Sequence, residues 1–178
     1  MTRLEKTDII EKRNIIGNLS LEEYRRIINE LCEEGLVTAS LSGGDPFCNK
    51  NAWEIIDYLY EKDIAITIFT NGLSLEHQIK RLAQYFPREV RISLYSGDYK
   101  VHDSITRTPG SWEKTMNIIE QLYNHSVPFS INCPIMKPNL KTDPQVFDIG
   151  KQFNVPVIAD VQIIDSLDGD TCATNNLR

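Results

Sequence analysis

An α/β fold with about five parallel strands is predicted by two observations on this 178-residue chain. Short runs rich in β-branched residues recur at 37–42, 64–69, 89–95, 128–135 and 155–164, and between successive runs apolar residues return at helical spacing. Strand alternating with helix at this interval implies right-handed βαβ units, hence parallel strands with helices laid over the sheet. Five strands are too few to close an eight-stranded barrel, which leaves an open doubly wound sheet or an arc of a partial barrel. An apolar content of 41% with 25% charged residues suits one globular domain with a real core.

Residues 1–18 are polar and charged and read as a lead-in; the domain runs from 19 to 178. Ser20 is the expected N-cap of a first helix, with Glu23 as its capping-box partner and Tyr24, Ile27, Ile28 and Leu31 as its apolar stripe, closed by Gly35. After the strand at 37–42, Asn51 with Glu54 repeats the capping-box spacing and opens a helix striped by Trp53, Ile56, Leu59 and Tyr60. The strand at 64–69 runs into Thr70-Asn71-Gly72. A helix from about Leu75 to Tyr85, the strand at 89–95, a helix from Ser111 to His125 and the strand at 128–135 follow. Asp143 as N-cap with Pro144 at the first helical position starts the next helix, before a last strand at 155–164.

A net charge of −6 with no Lys/Arg run argues against nonspecific nucleic-acid binding. No apolar stretch has the length of a signal sequence or a membrane span, so a cytoplasmic location is expected. Cysteines at 32, 48, 133 and 172 have no close pairing, which suggests neither a zinc site nor a disulfide framework. His77 and His125 read as exposed helical residues.

In either architecture ligands bind beyond the carboxyl ends of the strands. The unusual residues fall there: Gly43 to Pro46 after the first strand, Thr70 to Gly72 after the second, Ser93 to Asp98 after the third, Asn132 to Pro134 after the fourth. Glycines at 43 and 44 let a ligand approach the backbone closely, and Pro46 biases Asp45 toward an extended conformation. Such residues are also ordinary turn formers. Their gathering on one rim is what makes a site.

Ser42-Gly43-Gly44-Asp45-Pro46, the strand ending Ile92-Ser93-Leu94-Tyr95, and the block His102-Asp103-x-Ile105-Thr106-Arg107-x-Pro109-Gly110-Ser111-Trp112-Glu113-Lys114-Thr115 together resemble the radical S-adenosylmethionine (SAM) enzymes. The resemblance is strongest to members of the SPASM or twitch type, which modify peptides or mature peptide-derived cofactors, and it covers roughly residues 19–172. It implies an arc of a partial (β/α)6 TIM-like barrel lacking its first strand. It also implies that the backbone of Gly43, Gly44, Asp45 and Pro46 meets the SAM amino group, with Asp45 in place of the family's Glu. Ser93 and Arg107 match positions that hold the ribose and the methionyl carboxylate, a group whose two oxygens a guanidinium can engage together. Asn71 and Asn132 lie near the same ligand. His102 is expected to position its loop with Asp103 rather than to transfer protons.

One departure governs the functional reading. Members of the family bind a [4Fe–4S] cluster through Cys-x3-Cys-x2-Cys, and no such triad occurs in this chain. The chain is therefore expected to begin just after that motif, with residues 1–18 as the tail of the cluster loop, and to be inactive alone. Cys48, Cys133 and Cys172 follow strand ends but are not expected to replace the triad. Two function classes follow: a truncated core domain of an enzyme that would cleave SAM reductively to modify a peptide or protein, or a non-catalytic SAM- or peptide-binding module. The expected partners are SAM and a peptide. The strand at 37–42, with no neighbour on one side, is expected to promote self-association.

Overall fold

The structure, a computed structural model, describes residues 19–160. Its elements are α1 (Leu21–Glu33), β1 (Thr38–Leu41), α2 (Ala52–Glu61), β2 (Ala65–Thr70), α3 (Ile79–Ala83), β3 (Glu89–Ser93), α4 (Tyr99–Thr106), α5 (Ser111–Asn124), β4 (Phe129–Pro134), α6 (Asp143–Phe153) and β5 (Val157–Asp160). Short 3-10 turns at Pro46–Cys48 and Leu73–Leu75 follow the first two strands. The lead-in and residues 161–164 of the last expected strand lie outside the described residues.

The capping box of α1 is present: Ser20 Oγ accepts from the Glu23 amide while the Glu23 carboxylate accepts from the Ser20 amide at 2.7 Å. The second expected box is absent. Asn51 makes no side-chain cap; Asn49 Oδ1 instead accepts the Asn51 amide at 2.9 Å, so an Asx turn two residues upstream starts α2. The helix expected over 75–85 shortens to α3, because the Leu73–Leu75 turn and His77, in the left-handed region at φ 69°, interrupt it. His77 is exposed but not helical, and His125 is the C-cap of α5. Helix α4, inside the block around His102, has too short an apolar stripe to be marked by periodicity. Asp143 is the first residue of α6, and Thr142 stands at the cap position.

All five described strands pair in parallel in the order β1-β2-β3-β4-β5. That order decides between the two architectures left open above. A doubly wound sheet reverses direction once and places helices on both faces, whereas unbroken sequential order with crossovers of one hand places every helix on the same face. The sheet is thus an arc of a barrel. Ile66, Ile68, Val90, Ile92 and Ile131 point to the helical side and are buried at 3% exposure or less. Each contributes about 1.5–3 kcal/mol relative to solvent exposure. The alternate positions, Thr67, Phe69, Arg91, Ser93 and Asn132, lie on the other face, the inner face of the arc, and remain partly open.

Candidate functional site

The loops after the strands meet at one rim. Gly43 has φ 138°, a conformation that side-chain-bearing residues rarely adopt, and a Cβ at Gly43 or Gly44 would meet nothing within 4 Å among the described residues. No described residue packs against these glycines. Behind them a cleft of about 450 Å³ between α1, β1 and α2 is lined by apolar groups including Tyr24, Ile28, Leu36 and Ile55. Asn71, Ser93, Arg107 and Asn132 do not line it.

Asp45 is 9% exposed, and its carboxylate is engaged inside the protein. Oδ2 accepts from Thr70 Oγ1 at 2.7 Å and from the Asn71 amide at 3.1 Å, and Oδ1 accepts from the Phe47 amide at 3.0 Å. The carboxylate therefore locks the turn to the end of β2, and the turn's backbone is what faces outward. Asn71 Oδ1 accepts the Leu73 amide at 2.9 Å, and the Gly72 amide donates to Thr70 Oγ1 at 3.0 Å. At Gly72, with φ 83°, a Cβ would fall 3.0 Å from Ile92 Cδ1, so the core itself requires glycine.

Ser93 and Asn132 are register partners on β3 and β4, part-exposed on the inner face. Arg107 is the exposed C-cap of α4, with φ 55°. Its loop is organised by Asp103: Oδ2 accepts the Gly110 amide at 2.6 Å, and Oδ1 accepts Ser111 Oγ and the Trp112 amide, both at 2.9 Å. Desolvation opposes ionisation of Asp103, but the Trp112 and Gly110 amides and the Ser111 hydroxyl outweigh it and hold the carboxyl below its ordinary range. His102, 1% exposed, accepts the Tyr95 amide on Nδ1 at 3.2 Å. Burial pushes its pKa down to about 4, against a smaller upward pull from Asp103. The neutral, enclosed imidazole holds the Tyr95 amide.

Sequence reasoning missed Asn139. It is fully buried, donates from Nδ2 to the carbonyls of Tyr95 at 2.7 Å and Pro134 at 2.8 Å, and accepts the Met136 amide at 2.7 Å. It ties the loop after β3 to the end of β4. Trp112 Nε1–H donating to the Ser96 carbonyl and Ser96 Oγ donating to Thr142 Oγ1 add to the same seam. Met-Lys-Pro-Asn after a strand signals a turn, but nothing local says its amide is buried against a distant loop.

The described thiols do not converge. Among the described residues no three of His, Cys, Asp and Glu come together as a metal site. Cys32 is half-buried on α1, Cys48 is exposed with Sγ 3.7 Å from Ser74 Oγ, and Cys133 is sealed in β4. Burial, with the Asp143 charge adding to it, pushes the Cys133 thiol up to about 11, far from the thiolate a metal needs. Cys172 lies outside the described residues. The described cysteines do not fit a [4Fe–4S] cluster.

A parallel barrel arc with a glycine turn, a Ser/Asn pair and a loop arginine after its strands defines an α/β domain of the partial-barrel class. The family model of the radical SAM superfamily matches residues 5–145, and the chain belongs to that superfamily. It is 28% identical over 138 residues to AdoMet-dependent heme synthase of Methanosarcina barkeri, covering 77% of this chain and 40% of that protein. To the antilisterial bacteriocin subtilosin biosynthesis protein AlbA of Bacillus subtilis it is 28% identical over 127 residues, covering 70% and 28%. The chain thus spans less than half the length of these relatives. Among solved structures, Streptococcus suis SuiB bound to S-adenosylmethionine superposes with TM-score 0.68 at 17% identity, over 84% of this chain and 36% of that one. SuiB bound to precursor peptide SuiA gives 0.69, over 80% and 33%. At that identity the likeness speaks for the fold. No described helix is long and apolar enough to cross a membrane.

Proposed function

We propose that this chain supplies the SAM-holding rim of a radical SAM enzyme that modifies a peptide or protein, and that these 178 residues alone do not cleave SAM. The observation that supports the first part is the placement of the open Gly43–Gly44 turn and of the Ser93–Asn132 pair toward the carboxyl ends of strands of one parallel sheet. In this reading the turn backbone from Gly43 to Pro46 receives the amino group of SAM, Ser93 with Asn132 orients the ribose, and Arg107 takes the carboxylate through paired N–H donors. Asn71, its Oδ1 accepting the Leu73 amide, shapes the loop between them. AlbA, named for bacteriocin biosynthesis, and SuiB, solved with its precursor peptide SuiA, support the substrate class.

Bound SAM yields a radical only after one-electron reduction, which the family draws from its iron–sulfur cluster. The second part rests on the sequence: four cysteines at 32, 48, 133 and 172 supply no Cys-x3-Cys-x2-Cys. The same absence favours a second reading, a non-catalytic SAM- or peptide-binding module.

Titration of the chain with SAM, followed by NMR, tests the binding. Shifts should centre on Gly43, Gly44, Ser93 and Arg107, and Arg107→Ala should weaken binding by about 1.5–3 kcal/mol. Shifts elsewhere, or none at millimolar SAM, refute it. Anaerobic reconstitution with iron and sulfide, then SAM and reductant, should give no 5′-deoxyadenosine; its appearance with a stoichiometric cluster would overturn the second part.

A further inference from the structure

Arg91 is the only cation on the five described strands, which otherwise carry charge only at Glu89 and Asp160. It alternates with Val90 and Ile92, both fully buried on the helical side, so its side chain rises from the inner face of the arc. In register it sits between Phe69 and Ser130, one row below the Ser93–Asn132 pair, deeper from the rim along the same face.

Its surroundings fix the guanidinium without using most of its donors. Nε–H donates to Glu89 Oε2 at 2.8 Å, and the guanidinium carbon lies 5.1 Å from the Phe69 ring centroid. One edge of the fork is thus held and one face supported. The two terminal NH2 groups have no hydrogen-bond acceptor among the described residues, and the side chain is 35% exposed. Next to Arg91, Ser130 is fully buried and its Oγ reaches no hydrogen-bond partner among the described residues. It lies beside Glu89 without achieving bonding geometry there. Partial burial of Glu89 disfavours its charge, yet Ser130 and Arg91 nearby outweigh this and keep the carboxyl low, so Arg91 faces an ionised neighbour.

We infer that Arg91 is a recognition point for a carboxylate of the peptide substrate, an Asp or Glu side chain placed on the inner face below SAM. The inference rests on the proposed function for its placement of the peptide. Two parallel N–H donors on a fixed plane match the two oxygens of a carboxylate. Glu89 neutralises the site as a whole. The contact therefore orients an acidic residue more than it adds affinity, and it disfavours a second negative charge.

The probes are two peptides, acetyl-Gly-Glu-Gly amide and acetyl-Gly-Gln-Gly amide, titrated into the 15N-labelled full chain while the Arg91 Nε–H signal is followed. The Glu peptide should move that signal and the Gln peptide should not. Arg91→Gln should weaken the Glu peptide by roughly tenfold or more. Arg91→Lys, which keeps the charge and loses the fork, should recover only part. Glu89→Gln, which keeps an acceptor for Nε–H and removes the repelling charge, should tighten binding severalfold. A role confined to folding would give neither the Glu-over-Gln preference nor that gain. Equal responses to both peptides, or an unmoved Arg91 signal with millimolar Glu peptide, overturn the inference. SAM titrated alone reports on the proposed function, so a silent rim with a responsive Arg91, or the reverse, shows which of the two has failed.

Discussion

Acidification from pH 7 to pH 5 should cost this fold about 2 kcal/mol through a single buried imidazole. His102 is 1% exposed, its Nδ1 is committed as acceptor to the Tyr95 amide, and burial brings its pKa down to about 4. In the unfolded chain a histidine titrates near 6.5. Below that value the unfolded state takes up a proton that the native state refuses until the pH nears 4. The unfolded state then binds more protons, and stability falls as pH falls. A gap of about 2.5 pKa units corresponds to about 3.4 kcal/mol in full, of which roughly 2 kcal/mol is lost between pH 7 and 5. Glu23, Glu89 and Asp103 also have lowered pKa values, so their stabilisation is lost only as the pH falls through about 4 and below. The window from 7 to 5 isolates His102 from them. The assay is urea unfolding followed by circular dichroism at pH 7, 6 and 5, on the wild type and on His102→Asn, whose Oδ1 can stand near the position of Nδ1. The variant should be less stable at pH 7 but flatter across the series. A wild-type loss below about 0.5 kcal/mol, or an equal slope in the variant, would refute the reasoning.

Asp45→Asn replaces a buried carboxylate that accepts from Thr70 Oγ1, the Asn71 amide and the Phe47 amide. It should cost about 1.5–3 kcal/mol in chemical denaturation, and an unchanged midpoint would deny the turn its lock. Asn139→Ala strands the Tyr95 and Pro134 carbonyls in a dry environment at about 1–3 kcal/mol each. Native-state hydrogen exchange should show the loops after β3 and β4 opening together; uniform protection would contradict that coupling. Strand β1 pairs only with β2 among the described strands, so sedimentation should reveal concentration-dependent association that Thr38→Lys weakens, and a monomer at the highest concentration would remove this expectation.

Local sequence determined a good deal. The Ser20–Glu23 box, the β-branched runs and the Gly-Gly-Asp-Pro turn each act within a few residues, and each element built on them appears with boundaries shifted by a residue or two. The same local logic failed at Asn51, where an Asx turn from Asn49 took the cap's place, and at the helix expected from Leu75, where a left-handed residue at 77 interrupts the chain. Tertiary structure decided what local spacing could not express. Sequential strand order, a property of pairing between distant segments, put every helix on one face and left the other as an inner face with Ser93, Asn132 and Arg91 in adjacent rows. The role of Asp45 changed for the same reason: its donors on Thr70 and Asn71 lie 25 and 26 residues away. Asn139 reaches a carbonyl 44 residues upstream. Capping and periodicity are read along the chain, but the satisfaction of a buried carboxylate or amide depends on which strands lie side by side, and only the folded sheet sets that.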